Sequence, residues 1–313
     1  MIGEEVTVRL VYSLALVAAL TPIAFSAPVL FGGNGGHPNP DGSPLSINNG
    51  WLVVVDQTSG TVTTIGHPSG IPKLSGLAFG TDGQLWGSSL AATAFPPPLP
   101  TSPTSDLLLL NPISGALIKD IGQITYNGTA VQIADLAVQP SSNILFGVGA
   151  SSSGDFNVAG NLYAINKQTG VATRVGNTGN FFNAIAFGPN GTLYATTADL
   201  DNMGNLVNTQ IKTIDPVNAQ TISALSITQA PGALGVRDDG VIFEGNGDGG
   251  GDPLGGGIYT VNPVTGVETL VGHTGLNFVG DLAFQPTPEP GAITLCGAGL
   301  LGLAALKLRK SKS

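Results

Sequence analysis

The chain has 313 residues with 20 acidic and 11 basic side chains, a net charge of −9 at neutral pH, 46 glycines, three histidines and one cysteine. Over residues 27–290 the balance sharpens to 18 acidic against 6 basic side chains. Such a body is unsuited to nucleic acid, whose phosphates demand a basic face, and a single cysteine excludes a disulfide framework.

The first predicted element is an apolar stretch from Leu10 to Phe25 that ends in Ala24-Phe25-Ser26. Small residues stand where a signal peptidase reads, so 1–26 is expected to be a signal peptide, although Glu4 and Glu5 offset its lone Arg9. The chain then repeats itself five times. Each repeat begins with a strand marked by a large apolar pair: Leu30-Phe31-Gly32, Leu85-Trp86-Gly87, Leu145-Phe146-Gly147, Leu193-Tyr194-Ala195 and Ile242-Phe243-Glu244. After a variable loop comes an apolar run that ends in Asp or Asn and enters a tight turn: Asp56 to Gly60, Asn111 to Gly115, Asn166 to Gly170, Asp215 to Ala219 and Asn262 to Gly266. The Asx side chain can bond the turn's own amides, and glycine supplies the positive φ that such a hairpin needs. Ala219 breaks that rule, so the fourth hairpin is expected to be strained or differently shaped.

The next strand closes with Ile65-Gly66, Ile121-Gly122, Val175-Gly176 and Val271-Gly272, with no clear equivalent in the fourth repeat. The most regular element follows: Gly76-Leu-Ala-Phe79, Asp135-Leu-Ala-Val138, Ala184-Ile-Ala-Phe187, Ala233-Leu-Gly-Val236 and Asp281-Leu-Ala-Phe284. Its alternation is that of a strand, and the recurring Ala or Gly suggests convergence on a crowded axis. Four strands per unit predict an all-β fold, a β-propeller of five four-stranded blades. The last inner strand has no successors and the first three strands have no predecessor, so strands from both termini should close the ring. An open β-solenoid is the rival architecture. The units resemble the repeats of NHL-like and quinoprotein-like propellers, of the form Leu-Tyr-x-Ile-Asp-x-x-Thr-Gly and Leu-Ala-Phe-x-x-x-Gly-x-Leu-Tyr. That resemblance implies a fold and no particular activity.

Candidate chemistry is sparse. His37, His67 and His273 occupy loop or strand-end positions from which no Ser-His-Asp constellation can be built. The loops near 33–50, 90–105, 148–160, 197–208 and 245–257 fall on one face of the disc and are long and dissimilar, as recognition loops are. Two of them carry oxygen ligands on Gly-rich chain: Asp199 and Asp201 in one, Asp248 and Asp252 in the other. Calcium is the ion that such groups suit. Asp135 and Asp281 share one repeat position near the axis and are candidate channel carboxylates.

The tail reads Pro288-Glu289-Pro290, an apolar run from Gly291, and a basic end of Lys307, Arg309, Lys310 and Lys312. Gly291 to Leu308 is just long enough to be a C-terminal transmembrane helix, with the cations inside. This order resembles the PEP-CTERM sorting signal. The resemblance implies recognition by an exosortase, cleavage near the Pro-Glu-Pro motif, and a path from transient inner-membrane anchoring to the outer surface. The domain division expected is therefore 1–26 signal peptide, 27–287 propeller and 288–313 sorting tail. Expected partners are signal peptidase and exosortase, then polysaccharide or a matrix protein. Function is read as a surface or matrix scaffold without catalysis. The alternatives are a propeller enzyme, such as a calcium-dependent lactonase or a glycan lyase or hydrolase, and an uncleaved domain tethered to the inner membrane.

Overall fold

The computed structural model describes residues 27–34, 50–71, 73–89, 104–149, 160–180, 182–200, 206–229, 231–246, 256–276 and 279–287. The signal segment, most of each long loop and the tail from 288 lie outside the described residues. The chain divides into two units, and the one described is Pro28–Pro286; Met1–Ala27 and Thr287–Ser313 form the other.

Every described element is a strand. The first blade takes β1 (Leu30–Asn34), β2 (Leu52–Val55) and β3 (Val62–Gly66). The second holds β4 (Leu74–Phe79), β5 (Leu85–Ser89), β6 (Asp106–Leu110) and β7 (Leu117–Gln123). A small hairpin, β8 (Thr125–Tyr126) and β9 (Thr129–Ala130), precedes the third blade of β10 (Ile133–Val138), β11 (Leu145–Gly149), β12 (Asn161–Ile165) and β13 (Val171–Asn177). The fourth contains β14 (Ala184–Phe187), β15 (Leu193–Leu200), β16 (Leu206–Ile214) and β17 (Thr221–Ser226). The fifth contains β18 (Pro231–Val236), β19 (Ile242–Asn246), β20 (Gly257–Val261) and β21 (Glu268–His273). The last strand, β22 (Val279–Phe284), returns to the first blade, whose order is β22-β1-β2-β3. Leu30 pairs with Phe284 and Gly32 with Leu282, and the Gln285 amide donates to the Val29 carbonyl at 2.9 Å. The five inner strands pack side by side in chain order and close on one another. The ring is thus a five-bladed propeller latched by strands from both ends.

The turns form as their chemistry requires. Asp56 Oδ1 accepts from the amides of Thr58 and Ser59 at 2.8 and 2.9 Å, and Asn111, Asn166 and Asn262 repeat the pattern. These bonds hold the exposed Asp56 carboxyl down at about 2, the Thr58 hydroxyl contributing most. Ala219 takes φ 63° where Gly60 takes 72°, and its amide donates to the Asp215 carbonyl at 2.8 Å as Gly60 does to Asp56 at 2.9 Å. The fourth hairpin therefore keeps the common shape and carries the strain of a left-handed alanine.

The Ile/Val-Gly dipeptides are β-bulges. Leu162 faces Gly176 while Tyr163 faces Arg174, leaving Val175 as the extra residue, and Ile65, Ile121 and Val271 are extra in the same way. The fourth blade runs Ile211 to Leu225 and Lys212 to Ala224 without a break, which is why its sequence lacks the dipeptide. The bulge glycines serve contact between blades. A Cβ on Gly66 would stand 2.0 Å from the Ser114 carbonyl oxygen, on Gly176 2.5 Å from that of Asn218, and on Gly272 1.8 Å from that of Ser59. In each case the end of one outer strand meets the hairpin of the next blade backbone to backbone.

Apolar packing follows the same pattern, with one cluster at each blade boundary. Phe31 meets Phe79 with ring centroids 5.0 Å apart, Phe146 meets Phe187 at 5.4 Å, and Phe243 meets Phe284 at 5.4 Å. Where the following blade offers only Val138, the facing residue is the larger Trp86, and Lys167 Nζ lies 5.6 Å from its ring centre.

One part of the expected fold class is corrected. Among the described residues there is no helix of any kind, and none long and apolar enough to cross a membrane. The C-terminal transmembrane helix is therefore struck from the fold class; residues 291–308, on which it was placed, lie outside the described residues. The expected localisation rested on that span as a transient inner-membrane anchor, and it is withdrawn with it.

Candidate functional site

The inner strands converge on the axis and set what can happen there. Ala78, Ala137, Ala186, Gly235 and Ala283 fall at one depth, as their sequence position foretold, and all are buried. With neighbours such as Leu77, Phe79, Leu136, Phe187 and Phe284 they line a cavity of about 80 Å³. That is room for a few waters.

Above the cavity the residue that opens each inner quartet is Gly76, Asp135, Ala184, Ala233 or Asp281, and both aspartates are fully buried. Asp135 Oδ1 accepts from the amide of its own neighbour Leu136 at 2.7 Å, and Oδ2 from that of Ile185 in the fourth blade at 2.7 Å. Asp281 repeats the posture two blades away, turned toward the amides of Leu282 and of Leu77 in the second blade, with no hydrogen bond of standard geometry closed to either. The second blade completes the series differently, because Ser75 Oγ donates to the Ile133 carbonyl of the third at 3.0 Å. A side chain on Gly76 has no room: its Cβ would lie 2.8 Å from the Leu136 amide nitrogen.

The two aspartates are also neighbours, each within reach of the other's charge, although neither Asp281 oxygen closes a hydrogen bond of standard geometry. Burial pushes Asp135 well above the usual carboxylate range, and the Asp281 charge pushes it further. Burial lifts Asp281 to about 7, held back by the neighbouring Asp135 carboxyl. Two carboxyls in one dry site resist ionising together, so the pair as a whole retains a proton more readily than a free carboxyl does.

A second carboxyl pair lies in the fifth blade, and sequence reasoning missed it. Glu244 is fully buried with no hydrogen-bond donor at either oxygen; its polar neighbour is the Glu268 carboxylate. Burial raises Glu244 to about 9, and the neighbouring Glu268 carboxylate adds to the rise. Burial alone would also raise Glu268, but the neighbouring Glu244 carboxyl and bonds from the Thr228 hydroxyl and amide and from the Gln229 amide take it below its ordinary value. The available signal was a glutamate at a strand position occupied by Gly32, Gly87, Gly147 and Ala195 in the other repeats. Lys73, at the head of β4, is a further group perturbed by burial, its ammonium pulled down to about 8.

Of the other candidate residues, Asp199 lies in β15 with its backbone paired to Val207. Asp201, Asp248 and Asp252 lie outside the described residues, as do His37, the Pro288-Glu289-Pro290 motif and the basic end of Lys307, Arg309, Lys310 and Lys312. His67 lies against Trp51 with ring centroids 6.0 Å apart, and His273 pairs with Gly257 across the ladder. Among the described residues no group of three or more His, Cys, Asp or Glu could hold a metal ion.

No known family matches the chain, and no curated protein does. Solved structures resemble it in fold. The PQQ-bound aldose sugar dehydrogenase of Streptomyces coelicolor is 14% identical over 80% of this chain and 83% of its own, with a TM-score of 0.46. TolB from Acinetobacter baumannii is 16% identical over 84% and 57%, with a TM-score of 0.42. Kuenenia stuttgartiensis hydrazine synthase is 12% identical over 65%, with a TM-score of 0.41, and the chain spans about half its length. These likenesses are too distant to carry an activity across. The PEP-CTERM and exosortase reading of the tail finds no support in any of them, and with no family match it is withdrawn as a description of the protein.

Proposed function

We propose that the protein is a propeller scaffold without catalysis that binds a neutral polysaccharide through its long loops between first and second strands. The observation that carries this reading is the state of the axis. Pockets for small organic ligands span roughly 300 to 1,000 Å³, and a cavity of about 80 Å³ falls well short of that. The axial carboxylates are fully buried, and Asp135 is engaged with two backbone amides, so neither is presented to a substrate. Recognition then falls to loops whose sequences differ while the hairpins opposite keep one pattern. A net charge of −9 disfavours acidic polymers and leaves uncharged glycans as the better-suited class.

The test is calorimetric titration of the full chain with a neutral glucan or galactan and with alginate as the acidic control. Binding of the neutral polymer alone is expected, and it should be lost when residues 90–103 are replaced by a Gly-Ser segment. Turnover of a glycan or lactone that stops on chelation would overturn the proposal in favour of a calcium-dependent enzyme.

A further inference from the structure

We propose that Asp135 and Asp281 form a proton-dependent clamp at the propeller axis, which holds the ring closed while the pair retains a proton and loosens the β22–β1 closure once both are charged. Each is fully buried at the same depth of the ring, on β10 and β22, which both pack against β4, and the two carboxyls are electrostatic neighbours. Asp135 joins the third blade to the fourth through the Ile185 amide, and Asp281 is turned from the first blade toward the second. Four of the five blades therefore meet at this one pair.

No counter-charge is available to it. The main strands packed on β10 and β22 are β1, β4, β5, β11, β14, β18 and β19, and of these only β19 carries an ionisable side chain, Glu244, itself an acid. Lys73 stands just before β4 and Arg237 just after β18. None of these three acts on either aspartate, and Arg237 is engaged with Asp239 at 2.8 Å. Two carboxylates in such a place cannot both ionise without strong repulsion.

The strand free to yield is β22. Its ladder with β1 is already irregular at the clamp, since Gly33 pairs with Asp281 and Asn34 with Val279, skipping Gly280. Asp135 stands beside the matching irregularity in β10, where Ile133 pairs with Gly149 and Asp135 with Val148. The third blade, however, is continuous in the chain, whereas the first is joined from two distant segments. Repulsion at the pair is thus relieved at the seam.

The experiment is amide hydrogen exchange on the full chain at pH 5.5 and pH 9, corrected for intrinsic rates, with β16–β17 as internal reference. The wild type should lose protection in residues 30–33 and 279–284 by about tenfold or more across that interval, while the reference holds. Asp281→Asn keeps a neutral donor facing Asp135 and should remain protected at both pH values, as should Asp135→Asn. Wild-type protection that ignores pH, or a variant whose loss parallels the wild type's, overturns the clamp. Should neither variant fold, the wild type still decides: a loss spread evenly over all five blades refutes a seam-specific device.

Discussion

Replacing Glu244 by glutamine tests the second carboxyl pair. The native carboxyl sits at about 9 against an ordinary 4.5, so the folded state holds a proton that the unfolded chain has released. Stability is then fully present below pH 4.5 and is lost as pH rises toward 9, by about 1.4 kcal/mol per pH unit. At pH 7 the loss reaches about 3 kcal/mol, partly offset by Glu268, whose depressed value contributes stability above its own unfolded range. Glu244→Gln stays neutral at every pH and places an amide donor beside the Glu268 carboxylate. Urea unfolding followed by the fluorescence of Trp51 and Trp86 should show wild type and variant within about 1 kcal/mol of each other at pH 5, with the variant ahead by about 2–3 kcal/mol at pH 7. A shallower residual slope in the variant belongs to Asp281. If both proteins lose stability in parallel from pH 5 to 9, Glu244 is not protonated in the fold and the reasoning fails.

Gly272→Ala places a methyl 1.8 Å from the Ser59 carbonyl oxygen and should lower stability by about 3 kcal/mol in thermal unfolding, while Gly83→Ala, with open space around it, should cost only the strain of its positive φ, about 1 kcal/mol. Ala219→Gly relieves a left-handed alanine but removes a buried methyl, two effects of about 1 kcal/mol each, so its midpoint should shift little; a large loss would show that the methyl matters more than the strain. Val138→Phe should destabilise by about 1–3 kcal/mol against Trp86, and the double change with Trp86→Phe should recover most of it by creating the Phe–Phe contact found at three other boundaries, as a double-mutant cycle would measure.

The blades were legible because repetition makes weak signals agree: five Asx turns, five small residues at one depth and five apolar pairs. What escaped were relations between repeats. Gly66 and Gly115 each looked like a local device, and nothing in one sequence says that the strand end of one blade presses on the hairpin of the next. Asp135 and Asp281 shared a repeat position, yet they face each other across a whole intervening blade and their burial depends on an axis too narrow to be a channel. The added hairpin of β8 and β9 did leave a signal, Asn127-Gly128 between Tyr126 and Thr129. Both residues take positive φ, as a tight two-residue turn requires, and β8 runs parallel along the outer edge of β13. It was obscured because the four-strand grammar had no place for a fifth.

The join of β1 to β22 fixes an order of events during synthesis. Leu30 and Phe31 leave the ribosome among the first propeller residues, but their partners Phe284 and Ala283 are almost the last. Until then the inner edge of the first blade has open backbone groups and half of an apolar cluster, a state prone to pair with the wrong strand. The earliest strand made must wait for the final one, so the nascent ring depends on whatever shields that edge in the interval.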